Sequence, residues 1–582
     1  MRKPLNNFRQ RISLSLNATL WLFCSFVYAT ENQTDSTQNF IADLNISQQH
    51  PYLTLGEIAD QIENIHNLYQ LSQNQLIWLK PGYKHEVIDS IFTLLSLAED
   101  QGLNPEFYDF ARLSHKWQQL KATSKPTDKD LLLFDTALNI AILRYQSDLH
   151  FGRFRPKNIT LDTLYALPPV DLATRIFSVS TQGNTQQLFE NLEPTIPVYA
   201  DLKLALVKYR KAMQELGASP LTLKTSTKLT SNNAQIETLR QLLTALGDLQ
   251  ITETVTHRPN DKNNKAAPAD KTLIKGIKHF QQRHNLVING KLDLPTVTAL
   301  NKPLEDRIME IKLSMERFRW LPRLRDTQFI IVNIPAFQLW AYNSIQMQEE
   351  NPLNMKVVVG ESLDKQTPIF LSDMQFLQFR PFWNVPTGIA KAELVPKLRN
   401  NPDYLATHDM ELVNHFGPNA TKYPVNHSTL ALLSQGQIKI RQLPGAKNAL
   451  GTVKFIFPNN FNIYLHDTSN PKLFNRKRRD FSHGCIRVQN PQALAEFVLK
   501  SKEDWDTQRI YLAMHKDDTK RVQLKAPIPV IIFYTTVMAT KDSEAYFFDD
   551  IYGLNKPLTR KFTPINSQPL APIQPQTVTP SN

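Results

Sequence analysis

The stretch IYLHDTSNPKLFNRKRRDFSHGCIRV, residues 463–488, carries the most chemistry in this chain. Ile463-Tyr464-Leu465 has the β-branched and aromatic character of a short strand, with His466 at its end, and Cys485 follows 19 positions later. Thiolate is the nucleophilic form of cysteine, and a free thiol titrates near about 8.5, so a histidine within reach is the usual activator. Gly484 lets backbone approach a reacting carbonyl closely, and the N–H groups of Gly484 and Cys485 are candidates for holding an oxyanion. Asn490-Pro491 reads as the N-cap and first residue of a helix running to about Lys500, its positive end facing back toward the site. These features converge on acyl transfer through a thioester. Each has a plainer alternative: a satisfied core histidine for His466, and a buried small hydrophobe for Cys485. A zinc set of His466, Asp467, His483 and Cys485 lacks the closely paired ligands of a structural site, so no metal is assigned. The basic run Arg476-Lys477-Arg478-Arg479 reads as a solvated loop at the site's edge, placed to attract carboxylates.

Outward from this stretch the pattern is β-rich. Phe329–Ile334, Gln338–Tyr342, Met355–Gly360, Lys454–Phe457, Ile463–Leu465 and Val530–Tyr534 are short apolar runs bounded by Pro, Asn and Gly. Between about 389 and 437 the strand signals lapse, and Leu394-Val395-Pro396-Lys397-Leu398 and Tyr404-Leu405 predict helix and loop, an insertion covering one end of the sheet. Residues 51–230 have helical periodicity instead. Ile58, Ile62, Ile65, Leu68 and Tyr69 share a face, as do Phe134, Leu138, Ala141, Ile142 and Tyr145. Asp135 and Arg144 inside the second run exclude a membrane span. A separate helical unit covers 232–302, interrupted by a polar loop, Thr252 to Asp270, and a connecting helix covers 303–325.

The chain has 582 residues, 41% of them hydrophobic, enough for several cores. Its net charge of +12 falls to +8 without Arg2, Lys3, Arg9 and Arg11, too mild and dispersed for nucleic acid. No Gly-rich phosphate-binding string occurs, and no organic cofactor is implied. Residues 1–29, basic and then apolar for about 16 residues up to Val27-Tyr28-Ala29, predict a cleaved secretion signal, with an uncleaved anchor as the alternative. Cleavage removes Cys24, one of the two cysteines, and leaves Cys485 alone in an oxidising compartment, where an unpaired thiol must be buried or used. Residues 30–50 are a polar, flexible lead-in, and 559–582 a Pro-, Gln- and Thr-rich disordered tail.

The His-spacer-Ser-His-Gly-Cys string at 463–488 closely resembles the catalytic signature of the L,D-transpeptidases, the YkuD-type domain. Phe382-Trp383-Asn384-Val385-Pro386, Ile440-Arg441-Gln442-Leu443-Pro444-Gly445 and Asn448-Ala449-Leu450-Gly451-Thr452-Val453-Lys454-Phe455 fall in family order. The string KHFQQRHNLVINGKLDLPTVTALN, 278–301, is similar to a small three-helix peptidoglycan-binding domain. With the helical scaffold, the resemblance is to the large multidomain YcbB-like branch and covers about 55 to 558. It implies a multidomain α+β chain with a catalytic domain at 326–558 and a lid insertion at 389–437. It further implies Cys485 as nucleophile, His466 as general base, and Asp467 as the residue whose carbonyl orients His466. His483 and Gly484 belong to the oxyanion-hole region, His483 being as open to a structural as to a chemical role. Ser482, Arg487 and Trp383 are implied on the substrate side. The implied activity is a periplasmic 3→3 cross-linking transferase acting on peptidoglycan stem peptides, with other cell-wall synthesis proteins as candidate partners. An L,D-carboxypeptidase, a protein-anchoring transferase or a non-catalytic peptidoglycan-binding scaffold are the alternatives.

Overall fold

A computed structural model describes residues 34–54, 58–80, 82–156, 170–227, 229, 234–250, 271–345, 352–417, 419–516 and 518–562. The expected signal segment at 1–29, the loop at 252–270 and the tail beyond 562 lie outside the described residues. The architecture is multidomain α+β, helical in its N-terminal part and β-rich toward the C-terminus.

The N-terminal part is built around the helix Asp128–Phe151, which begins with a Thr127/Asp130 capping box and is buried on nearly every side. Such a helix must satisfy its polar residues internally. Asp135 does so by accepting the N–H groups of Ile77, Trp78 and Leu79 and the Tyr69 hydroxyl, which folds the 76–79 segment onto the helix. Among the described residues no helix is long and apolar enough to cross a membrane. The predicted flexible lead-in is corrected here: residues 34–47 are helical, with Thr37, Ile41 and Leu44 buried. Thr37, Phe40, Ile41 and Leu44 follow the i, i+3, i+4, i+7 spacing of a docked helix, a pattern hidden in the segment's overall polarity.

Helices Ala234–Ala245, Lys271–Arg283 and Leu294–Leu300 pack Leu239, Leu243, Leu273, Ile277, Phe280 and Val297 into one core. Gln281 pins the turn that follows, accepting from Asn289 and Gly290 N–H and donating to the Lys291 carbonyl and Thr296 hydroxyl. The helix Leu304–Arg319 then joins the parts. The Glu316 carboxylate receives Arg319 Nη1 at 3.1 Å, Trp320 Nε1 at 3.0 Å and Phe154 N at 2.6 Å, while Arg319 also reaches Tyr199 and the Gln101 carbonyl.

Fifteen strands follow among the described residues, in chain order: β1 (Phe329–Asn333), β2 (Gln338–Tyr342), β3 (Leu353–Gly360), β4 (Phe370–Phe379), β5 (Trp383–Asn384), β6 (Met410–Val413), β7 (Lys422–Tyr423), β8 (Lys439–Gln442), β9 (Val453–Ile456), β10 (Leu465–His466), β11 (Asp480–Ser482), β12 (Ile486–Val488), β13 (Lys520–Phe533), and the hairpin β14 (Val537–Ala539) with β15 (Ala545–Phe547). Nine of them form one sheet ordered β11-β3-β12-β10-β9-β4-β13-β1-β2, and β2 also pairs with β3. Eight strands thus close into a barrel without free edges, with β11 added beside β3. Ile330, Val332, Leu377, Phe455, Leu465 and Ile486 fill its interior. On β1 the alternate residues Phe329 and Ile331 instead join the core formed with the Leu304–Arg319 helix.

Three further corrections concern this part. β4 is unanticipated, because its Ser372, Asp373 and Gln375 break the apolar runs from which strands were read. The insertion is not helix and loop alone: β5-β8-β6-β7 form their own sheet, and with short helices they enclose Leu394, Leu398, Leu412, Leu433 and Ile440. β6 and β7 are too short for a periodicity signal. Finally, the last helix, Asn555–Phe562, extends past the expected start of the tail, because Phe562 is buried with its ring against Phe154.

Glu316→Ala leaves Arg319 buried without its acid, and we expect a loss of about 3–5 kcal/mol in unfolding free energy, measured by chemical denaturation, with Glu316→Gln losing less.

Candidate active site

The site is carried by β9, β10 and β12, three adjacent strands on which Lys454 pairs with His466 and His466 pairs with Arg487. Residues paired across strands share a face, and side chains alternate along each strand. Phe455, Leu465 and Ile486 therefore enter the barrel core, and Lys454, Tyr464, His466, Cys485 and Arg487 lie on the outer face. They line a cleft of about 840 Å³ whose opposite wall comes from the inserted unit through Trp383, Pro386, Ile389, Glu393 and Phe416.

His466 is buried, and its Nδ1 lies 2.6 Å from the Asp467 carbonyl oxygen. A carbonyl only accepts, so Nδ1 carries the proton of the neutral ring and Nε2 presents a lone pair. Burial, with Arg487 and Lys454 nearby, drives the imidazole pKa down to about 3 against the pull of the Asp467 carbonyl. The Cys485 Sγ–H points to the Asn462 carbonyl at 3.7 Å. Burial pushes the thiol up, opposed by hydrogen bonding from Tyr464 and by the charges of Lys454 and Arg487. The resting pair is thus thiol and neutral imidazole, not thiolate and imidazolium.

Asp467 is itself clamped. Its Oδ2 accepts Thr452 N and Oγ1, each at 2.8 Å, Oδ1 accepts Thr468 N at 2.6 Å, and its own N–H reaches the Val453 carbonyl at 3.0 Å. Gly451, at φ +61°, makes room for this carboxylate, since a Cβ there would overlap it.

The Ser482–Cys485 turn is tied at several points. Ser482 Oγ donates to the Cys485 carbonyl and accepts Gly484 N–H at 3.2 Å. In this geometry Gly484 N–H is therefore engaged by Ser482, whereas the sequence reading assigned it to an oxyanion. Gly484 adopts φ +108°, and its carbonyl accepts Thr367 Oγ1 at 2.8 Å. Thr367 Oγ1 also receives Gly360 N, and Tyr552 OH bonds the Gly360 carbonyl at 2.6 Å. His483 turns away from the thiol: its Nε2 meets Glu393 of the inserted unit, which Lys365 also contacts at 3.4 Å. Burial pushes the Glu393 carboxyl up, and its bonds with His483 and Lys365 outweigh this and hold it low. Glu393 is presented by a π-helical turn, Ala390–Leu394.

Sequence reading did not single out Lys454, Tyr464, Thr367, Tyr552, Gly451 or Glu393. Only Lys454, a cation between the core residues Val453 and Phe455, left a local trace. The basic run needs correction as well. Arg479 is buried with its guanidinium on the carbonyls of Val357, Phe337 and Arg476, while Arg476, Lys477 and Arg478 are exposed, Arg478 in a bidentate pair with Asp480 at 2.8 Å, so one residue of the run is structural and not solvated. Among the described residues no group of three or more His, Cys, Asp or Glu is placed to hold a metal ion.

Residues 327–530 match the family model described as the L,D-transpeptidase catalytic domain, YkuD, and residues 63–206 match one described as a scaffold domain. A protein of Haemophilus influenzae named "Putative L,D-transpeptidase" is 28% identical over 247 residues, 42% of this chain. The match spans about half of that relative, 48% of its length.

Two outcomes follow from the geometry. With a raised thiol and no ion pair, alkylation of Cys485 by iodoacetamide, mapped by peptide mass, should climb about tenfold per pH unit between about pH 6 and 8 without a low-pH plateau. Gly451→Ala should displace Asp467 and with it His466, lowering the rate of acyl-enzyme formation about 100-fold while the chain stays folded by circular dichroism.

Proposed function

We propose that this chain, which carries an L,D-transpeptidase catalytic domain of the YkuD family, is an exported cysteine acyltransferase that forms 3→3 cross-links between peptidoglycan stem peptides. The observation that carries the reading is the His466 tautomer. A neutral ring with Nδ1–H held by the Asp467 carbonyl offers Nε2 as a base on the face shared with Cys485. In the proposed cycle Nε2 takes the thiol proton as Sγ attacks the carbonyl of the third residue of a tetrapeptide donor. The tetrahedral intermediate collapses to a thioester, and the proton passes to the amine of the departing D-alanine. An acceptor amine then attacks the thioester, loses its proton to Nε2, and the thiol is restored. The burial that depresses the His466 pKa, helped by the charges of Arg487 and Lys454, makes its imidazolium short-lived, which favours handing the proton on.

Cys485 is thus the nucleophile, His466 the base and Asp467 its orienting residue, while the N–H of Cys485 itself, with Gly484 N–H held by Ser482, is the backbone donor proposed for the oxyanion. Trp383, on the inserted wall, and Arg487, on the sheet, contact the substrate, and Ser482 braces the turn. No cofactor enters the scheme. The helical unit at 232–302 is assigned to glycan-strand or stem binding, and the compartment to the periplasm.

The test incubates purified protein with disaccharide-tetrapeptides and resolves products by mass. Cross-linked dimer together with free D-alanine is the expected result. Tripeptide alone would make the protein a carboxypeptidase, and full activity in Cys485→Ala would sink both. A carbapenem should add its mass to Cys485 in the wild type and not in Cys485→Ala.

A further inference from the structure

Lys454 and Arg487 occupy the register positions on either side of His466, yet among the described residues neither forms an ion pair. The Lys454 ammonium rests on the Tyr464 ring, 3.7 Å from its centroid, and Arg487 Nε is buried with no hydrogen-bond partner. Burial lowers both pKa values, and the only titratable partner that favours either charge is the Cys485 thiolate. Glu393, the acid in the cleft lining, is already engaged by His483 and Lys365. Burying a cation costs several kcal/mol unless an anion answers it. Both cations are half-buried in the cleft wall, so an anion entering the cleft meets two positive charges that no carboxylate of the described residues answers.

The strand order β12-β10-β9 places Arg487, His466 and Lys454 in one row across the sheet, and Cys485 stands just before β12, level with Tyr464. Laid with its scissile carbonyl at Cys485 and its leaving amine toward His466, a donor runs across the sheet toward Lys454. The terminal carboxylate of that leaving residue lies about one residue farther on, over β9. We propose that Lys454 binds the terminal carboxylate of the donor's leaving residue, with Arg487 adding to the positive field, so that a free carboxy terminus is what the site selects. The inference rests on the acyltransfer reading above. It makes Lys454 a specificity-determining residue rather than an activator of the thiol.

The experiment uses the Cys485→Ala chain, which binds without turnover, titrated calorimetrically with a disaccharide-tetrapeptide and with the same compound amidated at its carboxy terminus. The free acid should bind at least about tenfold more tightly than the amide. Adding Lys454→Met should weaken the acid alone and bring the two within about twofold, and Lys454→Arg should keep most of the preference. Equal affinities in Cys485→Ala, or a Lys454→Met change that weakens both ligands alike, would overturn the proposal. So would a Lys454→Met chain that shifts the pH profile of Cys485 alkylation while keeping its preference for the acid. D-alanine release by the wild type is scored separately: its absence strikes the acyltransfer reading, while the affinity ratio still reports on the carboxylate site.

Discussion

One backbone carbonyl, that of Asp467, sets the terms for everything around it. It accepts the Nδ1 proton of His466, and this bond fixes both the tautomer and the plane of the ring. The carbonyl is in turn held because the chain leaves β10 at once, with the Asp467 side chain folded back onto Thr452. That fold-back requires Gly451, where any side chain would occupy the carboxylate's space. The orientation of His466 is thereby delegated to a loop glycine and a threonine hydroxyl, neither of which lines the cleft.

Electrostatics at the site is governed by burial more than by pairing. The thiol is pushed up, the imidazole down, and the two flanking cations down, each with desolvation as the largest cause. A site so arranged holds the Cys485 thiol protonated, and so in the form less open to oxidation, since thiolate is the form that oxidises. The charges that would favour thiolate are present but outweighed. A bound anion would offset them further, so the site's field and its ligand are coupled.

What was legible in the sequence was whatever chemistry sits close along the chain. His466, Asp467 and the Ser482–Cys485 turn occupy one local string, and the Asn490 cap and the helix Pro491–Leu499 stand where their residue types predict. Short apolar runs likewise carried six of the nine strands of the main sheet, and the 3.6 period carried helices of the N-terminal part. What stayed hidden is what the barrel brings together from afar. Thr367 and Tyr552 brace the Gly484 turn from positions 117 and 185 residues away from their partners. Lys454 faces His466 only because β9 and β10 pair in that register. Glu393 required the inserted unit to close over the sheet, and nothing near Glu393 in the chain announces His483. The missed strand β4 and the docked helix at 34–47 have a common cause: polar residues within an element mask its buried face when segments are judged by composition.

The barrel and the inserted unit are joined through β5 and β8, a two-residue antiparallel pair at the unit's root. The unit has a core separate from the barrel's. Both of its chain ends therefore emerge side by side, and the loop-closure entropy of everything between them is already met by that short ladder. Such a root is a graft point. The wall of the cleft can diverge in length and shape, and with it what the cleft admits, while β9, β10 and β12 keep the ladder that sets Lys454, His466 and Arg487 side by side.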